Sequence, residues 1–301
     1  MDINVVGLCL GIGTLLLVGL FFILHPRIKT YTNHYYFWAI CGAFLFIFLV
    51  CFRFWDDWSA FIEVDSKEQP ASYITSKAWL LDMCPFAAFS MSVLMIVDQK
   101  RKILSIIAPF AIFGGLITIF GELIFVDTMN DTVNATFDWK WIVLGENPNE
   151  MYFSMHFLLV VFGSLILLNT KVKPWRLFLY CGLFFGAYML YILTISSIYN
   201  VTENTTGLRP YDWIDGEYSG VASIMGLEYP YVMIVGYSAV AVIIFGLIFA
   251  FYGIQKTQAY SLQTWRHSYA EDPFGYWPDL YEQLHQDNEK IRKYAKTKIK
   301  H

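Results

Sequence analysis

Hydrophobic positions in this chain collect into long runs, not into the short alternations of a half-buried strand or the single stripe of a surface helix. Seven such runs lie at 4–25, 35–54, 78–97, 103–126, 151–169, 175–199 and 229–252, each broken by few charges. A helix needs about 20 apolar residues to cross the hydrocarbon core. The pattern predicts an all-α fold, a polytopic membrane helical bundle of about seven transmembrane helices. The first run carries Gly7, Gly11, Gly13 and Gly19, small enough for close helix approach, and ends at His25-Pro26-Arg27. The sixth carries Gly182 and Gly186, which read as a second helix contact. Beyond 254 the chain turns polar. The organisation is therefore a transmembrane bundle over 1–254 and a polar tail over 255–301.

Charge supplies a direction. The short turns after the first, third and fifth runs hold Arg27, Lys29, Lys100, Arg101, Lys102, Lys171, Lys173 and Arg176. The longer loops 55–77, 127–149 and 200–228 hold only Lys67, Lys77, Lys140 and Arg209, with Arg53 at an edge. Basic residues stay on the cytoplasmic side, so the N-terminus is expected outside and the C-terminus in the cytoplasm of a multi-pass cell-membrane protein. The outer loops are acidic and aromatic. Their Trp55, Trp58, Trp139, Trp141 and Trp213 read first as an interfacial belt. Asn-x-Thr triplets at Asn130, Asn134, Asn200 and Asn204 would accept glycans only in a eukaryotic secretory route. The tail ends in Lys290, Arg292, Lys293, Lys296, Lys298 and Lys300. It reads equally as a basic helix resting on anionic lipid and as a solvated end, and it is the segment through which protein partners would dock.

Composition agrees with a membrane protein and excludes several classes. The chain is 56% hydrophobic and 15% charged, well below the charged quarter of a soluble domain. Its net charge of −4 adds little, since placement outweighs sum in a membrane protein. The first run follows Met-Asp-Ile-Asn with no basic lead, so it reads as a retained span. The five cysteines all fall inside apolar runs and form no CxxC pair, which argues against a disulfide frame, a zinc site and a redox motif. Neither phosphate-loop nor dinucleotide, hydrolase-elbow nor zinc-protease motifs occur. One histidine within the spans, His156, is too few for haem or di-iron. No metal, cofactor or nucleic-acid partner is implied; membrane lipids are the expected partners.

A few polar side chains stand out because they are costly. An unpaired carboxylate in hydrocarbon costs about 2.5 kcal/mol or more. At the helical rise, Cys84, His156 and Glu122, with Asp82 and Arg53 nearer the surface, lie roughly 6–9 Å below the outer boundary. Separate helices thus bring rare polar groups to one level. Asp82 and Cys84 are two apart and point to different sides. The Asp82 side continues through Phe86 and Phe89, and a partner is expected in Arg53 or a loop group. Pro85 cannot donate to the Leu81 carbonyl, which leaves an acceptor free beside the thiol. Gly115, Thr118 and Glu122 share one side of their helix, polar enough to line a cavity, and Tyr152, His156, Leu159 and Gly163 share a side of the next. The candidate cavity lining is Arg53, Asp82, Thr118, Tyr152 and Tyr191. Tyr188, Tyr191, Thr194, Ser196 and Ser197 either face that cavity or join helices.

Cysteine with histidine is a meaningful pair. A thiol is a strong nucleophile as thiolate, and an imidazole can take its proton. Burial opposes ionisation, so a helper such as Glu122 would orient His156. The bland alternatives remain open at this stage: a lone cysteine in a span is usually a packing residue, and Glu122 could be protonated and merely hydrogen-bonded.

Leu81-Asp-Met-Cys84, the basic turn 98–102, the Pro- and Gly-bearing fourth run, Met155-His156-Phe157 and Tyr229-Pro230-Tyr231 together resemble the YwaF-type integral membrane family. That family includes an animal acyltransferase that makes polyunsaturated ether phospholipids. The chain also looks like uncharacterised mollicute membrane proteins of similar length. The resemblance covers roughly 78–250, with Asp82 standing where the family pattern has His. It implies a catalytic Cys at Cys84 and a catalytic His at His156. The expected function is lipid acyl transfer or acyl-ester cleavage at the outer leaflet, with Cys84 as nucleophile, His156 as base and Glu122 as orienter. The alternatives are a non-catalytic solute-binding or transport subunit and a structural subunit of a membrane complex.

Overall fold

The computed structural model describes residues 5–64, 72–124, 151–201, 207–208, 210–215 and 218–268. Its elements, in chain order, are α1 (Val5–Asn33), α2 (Tyr35–Phe48) running into a π-helical turn (Leu49–Arg53), α3 (Trp55–Glu63) and α4 (Ser72–Ala78). Then follow α5 (Met83–Val97), α6 (Leu104–Ile124), α7 (Met151–Asn169), α8 (Pro174–Tyr199), α9 (Pro210–Ile214), α10 (Ser219–Met225) and α11 (Tyr231–Ser268). The described residues are helical and contain no strand. Five stretches are long and apolar enough to cross a membrane: Gly11–Lys29, Tyr35–Arg53, Ile74–Val97, Pro174–Tyr199 and Tyr231–Gln258. The apolar parts of α6 and α7, Leu104–Phe120 and Phe153–Asn169, are shorter.

α6 and α7 are the centre of the bundle. Every residue from Leu159 to Asn169 is buried. Their approach depends on glycine. A Cβ at Gly115 would lie 2.6 Å from Val160 Cγ2 and 2.7 Å from the His156 carbonyl oxygen. A Cβ at Gly163 would lie 2.8 Å from Ile112 Cγ1 and 3.0 Å from the Ala108 carbonyl oxygen. α2 and α5 use the same device, with Gly42 set against Met95 and the Ser92 carbonyl. Small residues replace the missing hydrophobic drive between helices in lipid by letting backbones touch. Gly182 and Gly186 behave differently from the sequence expectation. No atom lies within 4 Å of a Cβ at either, so among the described residues no helix packs there.

α1 does not stop at His25-Pro26-Arg27 but runs on to Asn33, with Pro26 inside it. The reason lies at its end, where the last carbonyls of a helix need donors. Trp38 Nε1 donates to the Thr32 carbonyl. Arg101, from the turn between α5 and α6, donates to the carbonyls of Thr32 (2.6 Å) and Asn33 (3.4 Å). Burial pulls the Arg101 guanidinium below its usual range, with Asp98 acting against this, and an arginine remains a cation even so. Asp98 Oδ2 accepts from the backbone N–H groups of Ile103 (2.7 Å) and Leu104 (3.0 Å) and so starts α6. Thr32 Oγ1 donates to Asn169 Oδ1 at 3.0 Å, and Asn169 Nδ2 to the Leu165 carbonyl at 2.8 Å, tying the end of α7 to α1. The chain divides into two compact units, Met1–Ile254 and Gln255–His301.

Candidate functional site

The third apolar run is not one helix. α4 ends at Ala78 and α5 begins at Met83, so Trp79, Leu80, Leu81 and Asp82 are unwound. Leu80 adopts a left-handed φ of 51°, which a branched side chain disfavours. Unwound backbone at membrane depth survives only where its polar groups find protein partners. Here side chains supply them. The Leu81 N–H donates to the Ser76 carbonyl at 2.9 Å. Trp58 Nε1 donates to the Ala78 carbonyl at 3.1 Å. From α8, Tyr191 donates to the Trp79 carbonyl and Tyr188 donates to the Leu81 carbonyl at 2.6 Å. The Leu81 carbonyl is the acceptor that Pro85 cannot serve, so the tyrosine fills the place of the lost helical bond.

Tyr188 is therefore structural as well as site-lining. It is buried at 2% exposure, with its ring 4.9 Å from that of Phe86. Tyr188→Phe keeps the ring and strands a buried carbonyl, at a cost of about 1–3 kcal/mol. A lower thermal unfolding midpoint with unchanged helix content is the expected result, read by circular dichroism of the detergent-solubilised protein.

Of the two partners expected for Asp82, Arg53 or a loop group, the structure selects the loop group, Lys77. Asp82 binds Lys77 Nζ at 2.6 Å across the break, and Arg53 instead meets Asp57 at 3.3 Å, one helical turn away. Proximity along the fold decides this: α3 and α4 fold back over the end of the second span and bring Lys77 within reach. Asp57 also lies within electrostatic reach of Lys77. Burial pushes the Asp57 carboxyl above its ordinary range, and Arg53 and Lys77 pull against that. Arg53 is buried at 3% exposure, with its guanidinium carbon 5.0 Å from the Phe54 ring centroid. Among the described residues its Nε has no hydrogen-bond partner, nor do Thr75 Oγ1, Trp79 Nε1 and Ser196 Oγ.

Cys84 is the second residue of α5, and its sulfur lies 2.7 Å from the position a Cβ would take on Gly114. His156, buried at 2% exposure, sits on α7 with its carbonyl against the neighbouring Gly115. Cys84 and His156 thus dock on consecutive residues of α6. Cys84 and Asp82 both lie within electrostatic reach of Tyr188, as do Tyr191 and Tyr218. On the Cys84 side of α5, Ala87, Ala88 and Met91 are fully buried. On the other, Phe86 meets Tyr188 and Tyr191, and Phe89 meets Phe46 and Trp58. The Gly115 side of α6, which the sequence offered as a cavity wall, is filled by α7 at that level, and Thr118 beyond it is half-buried. The side chains of Glu122 and Tyr152 lie outside the described residues.

The segment before α11 packs on the start of that helix. Trp213 donates to the Gly207 carbonyl at 2.7 Å and lays its ring edge 3.0 Å from a Cβ position on Gly236. It is a packing residue there and not a belt residue, whereas Trp55 is well exposed. Sequence reasoning left Lys77 unnamed within the expected loop group and missed Asp57. The signal for Lys77 was its place five residues ahead of Asp82, a carboxylate in need of a cation. Among the described residues no cluster of His, Cys, Asp and Glu could hold a metal ion.

The comparisons with known proteins match this chain to uncharacterized proteins of mycoplasmas. It is 36% identical over 179 residues to the uncharacterized protein MG135 of Mycoplasma genitalium, covering 58% of this chain and 61% of that protein. It is 34% identical over 155 residues to the MG135 homolog of Mycoplasma pneumoniae, covering 51% of this chain and 52% of that one. The chain therefore spans about half to three-fifths of the length of these curated relatives. No solved structure matches. A family model matches residues 12–272, the bundle and the start of the tail, and the chain belongs to that family, a family of unknown function designated DUF5378.

Proposed function

We propose that this protein acts on membrane lipids from an outward-facing intramembrane site, transferring or cleaving acyl groups, with Cys84 as nucleophile and His156 as base. The reading is carried by two contacts on adjacent residues of α6, the Cys84 sulfur against Gly114 and the His156 main-chain carbonyl against Gly115. It gains support from the position of Cys84 in the first turn of α5, the helix end that favours negative charge. The likeness of Leu81-Asp-Met-Cys84 and Met155-His156-Phe157 to the YwaF-type segments points the same way. The orientation is N-terminus outside and C-terminus cytoplasmic, in the cell membrane, from the placement of Lys and Arg.

The chemistry runs in two halves. His156 takes the thiol proton, and the Cys84 thiolate attacks an acyl-ester carbonyl of a lipid. The ester C–O bond breaks, the imidazolium protonates the departing alkoxide, and the acyl group remains as a thioester. A lipid hydroxyl or water then gives its proton to His156 and attacks the thioester. The new ester or free acid leaves, and the proton returns to the thiol. Glu122 would orient the imidazole.

The test compares Cys84→Ser and His156→Ala with wild type by mass spectrometry of membrane lipids. Both are expected to lose the acyl changes that wild type produces, with turnover in His156→Ala lower by about 10²–10⁴-fold. Unchanged acyl profiles in both would remove the enzymatic reading. A second reading, a solute-binding or transport subunit, is favoured by the broken third span, since interrupted helices are a common way to build solute sites at membrane depth. A solute retained by purified protein, indifferent to Cys84→Ser, would select it.

A further inference from the structure

We infer that Arg53, Asp57, Lys77 and Asp82 form an oxyanion subsite that takes a phosphate group together with one proton, the proton being held by Asp57. The inference rests on the lipid reading above only for the source of that phosphate, the headgroup of the substrate.

The four residues come from the π-helical turn, α3, the end of α4 and the start of α5, and their charges alternate along one line. Arg53 Nη1 meets Asp57 Oδ2 at 3.3 Å, Asp57 lies within reach of Lys77, and Lys77 Nζ meets Asp82 Oδ2 at 2.6 Å. All four side chains are mostly buried, from 3% exposed at Arg53 to 18% at Lys77. A guanidinium is a rigid fork that suits phosphate oxygens two at a time. That of Arg53 is held above the Phe54 ring and engages its carboxylate through Nη1, while Nε is buried with no partner among the described residues. A buried donor without an acceptor calls for an explanation, and a bound oxyanion is one.

Charge balance then requires the proton. Two cations and two carboxylates sum to zero, so an entering anion would leave the buried cluster negative. One carboxylate must be neutralised. Asp82 holds the short contact to Lys77 at the break, and Asp57 holds the longer one to Arg53. The groups acting on Asp57 are Arg53 from the π-helical turn, Lys77 from α4 and Asp56 from its own helix. Burial and Asp56 push its carboxyl up while the two cations pull it down, and burial dominates. Once protonated, Asp57 releases the Arg53 fork and becomes a donor to the same anion.

The test uses the purified full chain in phosphate-free detergent and measures equilibrium binding of two probes, inorganic phosphate and dihexanoyl phosphatidylglycerol, at about pH 5.5 and about pH 7.5. Wild type is expected to bind more tightly at the lower pH, by up to about tenfold per pH unit. Arg53→Gln is expected to weaken binding at least about tenfold at both values. Asp57→Asn, a fixed neutral carboxyl mimic, is expected to bind equally at both. Cys84→Ser is expected to match wild type, so failure of the catalytic reading and failure of this one are separable. Binding of both probes assigns the subsite to phosphate in general, and binding of the lipid probe alone assigns it to the headgroup. Arg53→Lys keeps the charge and loses the fork, and it decides the question through weakened binding at an unchanged thermal midpoint if Arg53→Gln does not fold. No saturable binding of either probe, wild-type affinity in Arg53→Gln or Arg53→Lys, or a retained pH dependence in Asp57→Asn would overturn the inference.

Discussion

Gly115→Leu is expected to take the centre of the bundle apart, while Gly182→Leu and Gly186→Leu are expected to leave its stability within about 0.5 kcal/mol. The contrast comes from what each residue faces. A side chain on Gly115 begins 2.6 Å from Val160 Cγ2 and 2.7 Å from the His156 carbonyl oxygen. Val160 can rotate, but a carbonyl within a buried helix cannot move without that helix. α6 and α7 would have to part, opening contacts along the most enclosed pair in the molecule. Overpacking against backbone sits at the upper end of its usual range, about 3 kcal/mol or more. Gly182 and Gly186 have no neighbour within 4 Å, so leucine there meets no protein atom of the described chain. Size-exclusion profile and thermal unfolding of the three variants in detergent give the comparison. Equal stability of all three would mean that α6 and α7 do not meet at Gly115.

The second large effect is an asymmetry between breaking and deleting the Lys77–Asp82 pair. Removing one partner of a mostly buried ion pair leaves the other charge unanswered, at a cost approaching 3 kcal/mol. Removing both exchanges the cost of two desolvated charges for none, and is often nearly neutral. Lys77→Ala is therefore expected to destabilise strongly, with the double variant Lys77→Ala/Asp82→Ala recovering most of the loss. The pair lies at the unwound stretch, so its loss is also expected to increase proteolysis or hydrogen exchange around Leu80 and Leu81. A double-mutant cycle on thermal or denaturant unfolding measures the coupling. Additive single and double effects would place the two side chains apart.

Much of the fold could be read from the chain, because apolar runs near twenty residues have few other uses. The helices fall where those runs lie, and the departures have local causes. α1 passes Pro26 because Arg101, from the turn before α6, and Trp38, from α2, donate to its terminal carbonyls. The break at Trp79–Asp82 could not be read in the same way. Trp79, Leu80 and Leu81 are apolar and look like the middle of a span. Only Pro85 announced a missing bond, and the group that answers it, Tyr188, lies 107 residues away. Glycine shows the same limit from the other side. Gly182 suggests a helix contact in sequence and Gly115 a cavity wall, and only the neighbours decide that Gly115 is pressed against backbone and Gly182 against no described residue. The partner of Asp82 was legible only as Arg53 or a loop group, because which residue of 55–77 comes within reach depends on where α4 ends.

The most direct test of the central claim, that Cys84 carries an acyl group in the course of turnover, is intact and peptide mass spectrometry of protein extracted rapidly from its own membrane. The account predicts an acyl thioester on the peptide that contains Cys84, released by hydroxylamine, enriched in His156→Ala relative to wild type if the second half-reaction is slowed more than the first, and absent from Cys84→Ser. An unmodified Cys84 in both wild type and His156→Ala, in membranes rich in acyl lipids, would contradict it.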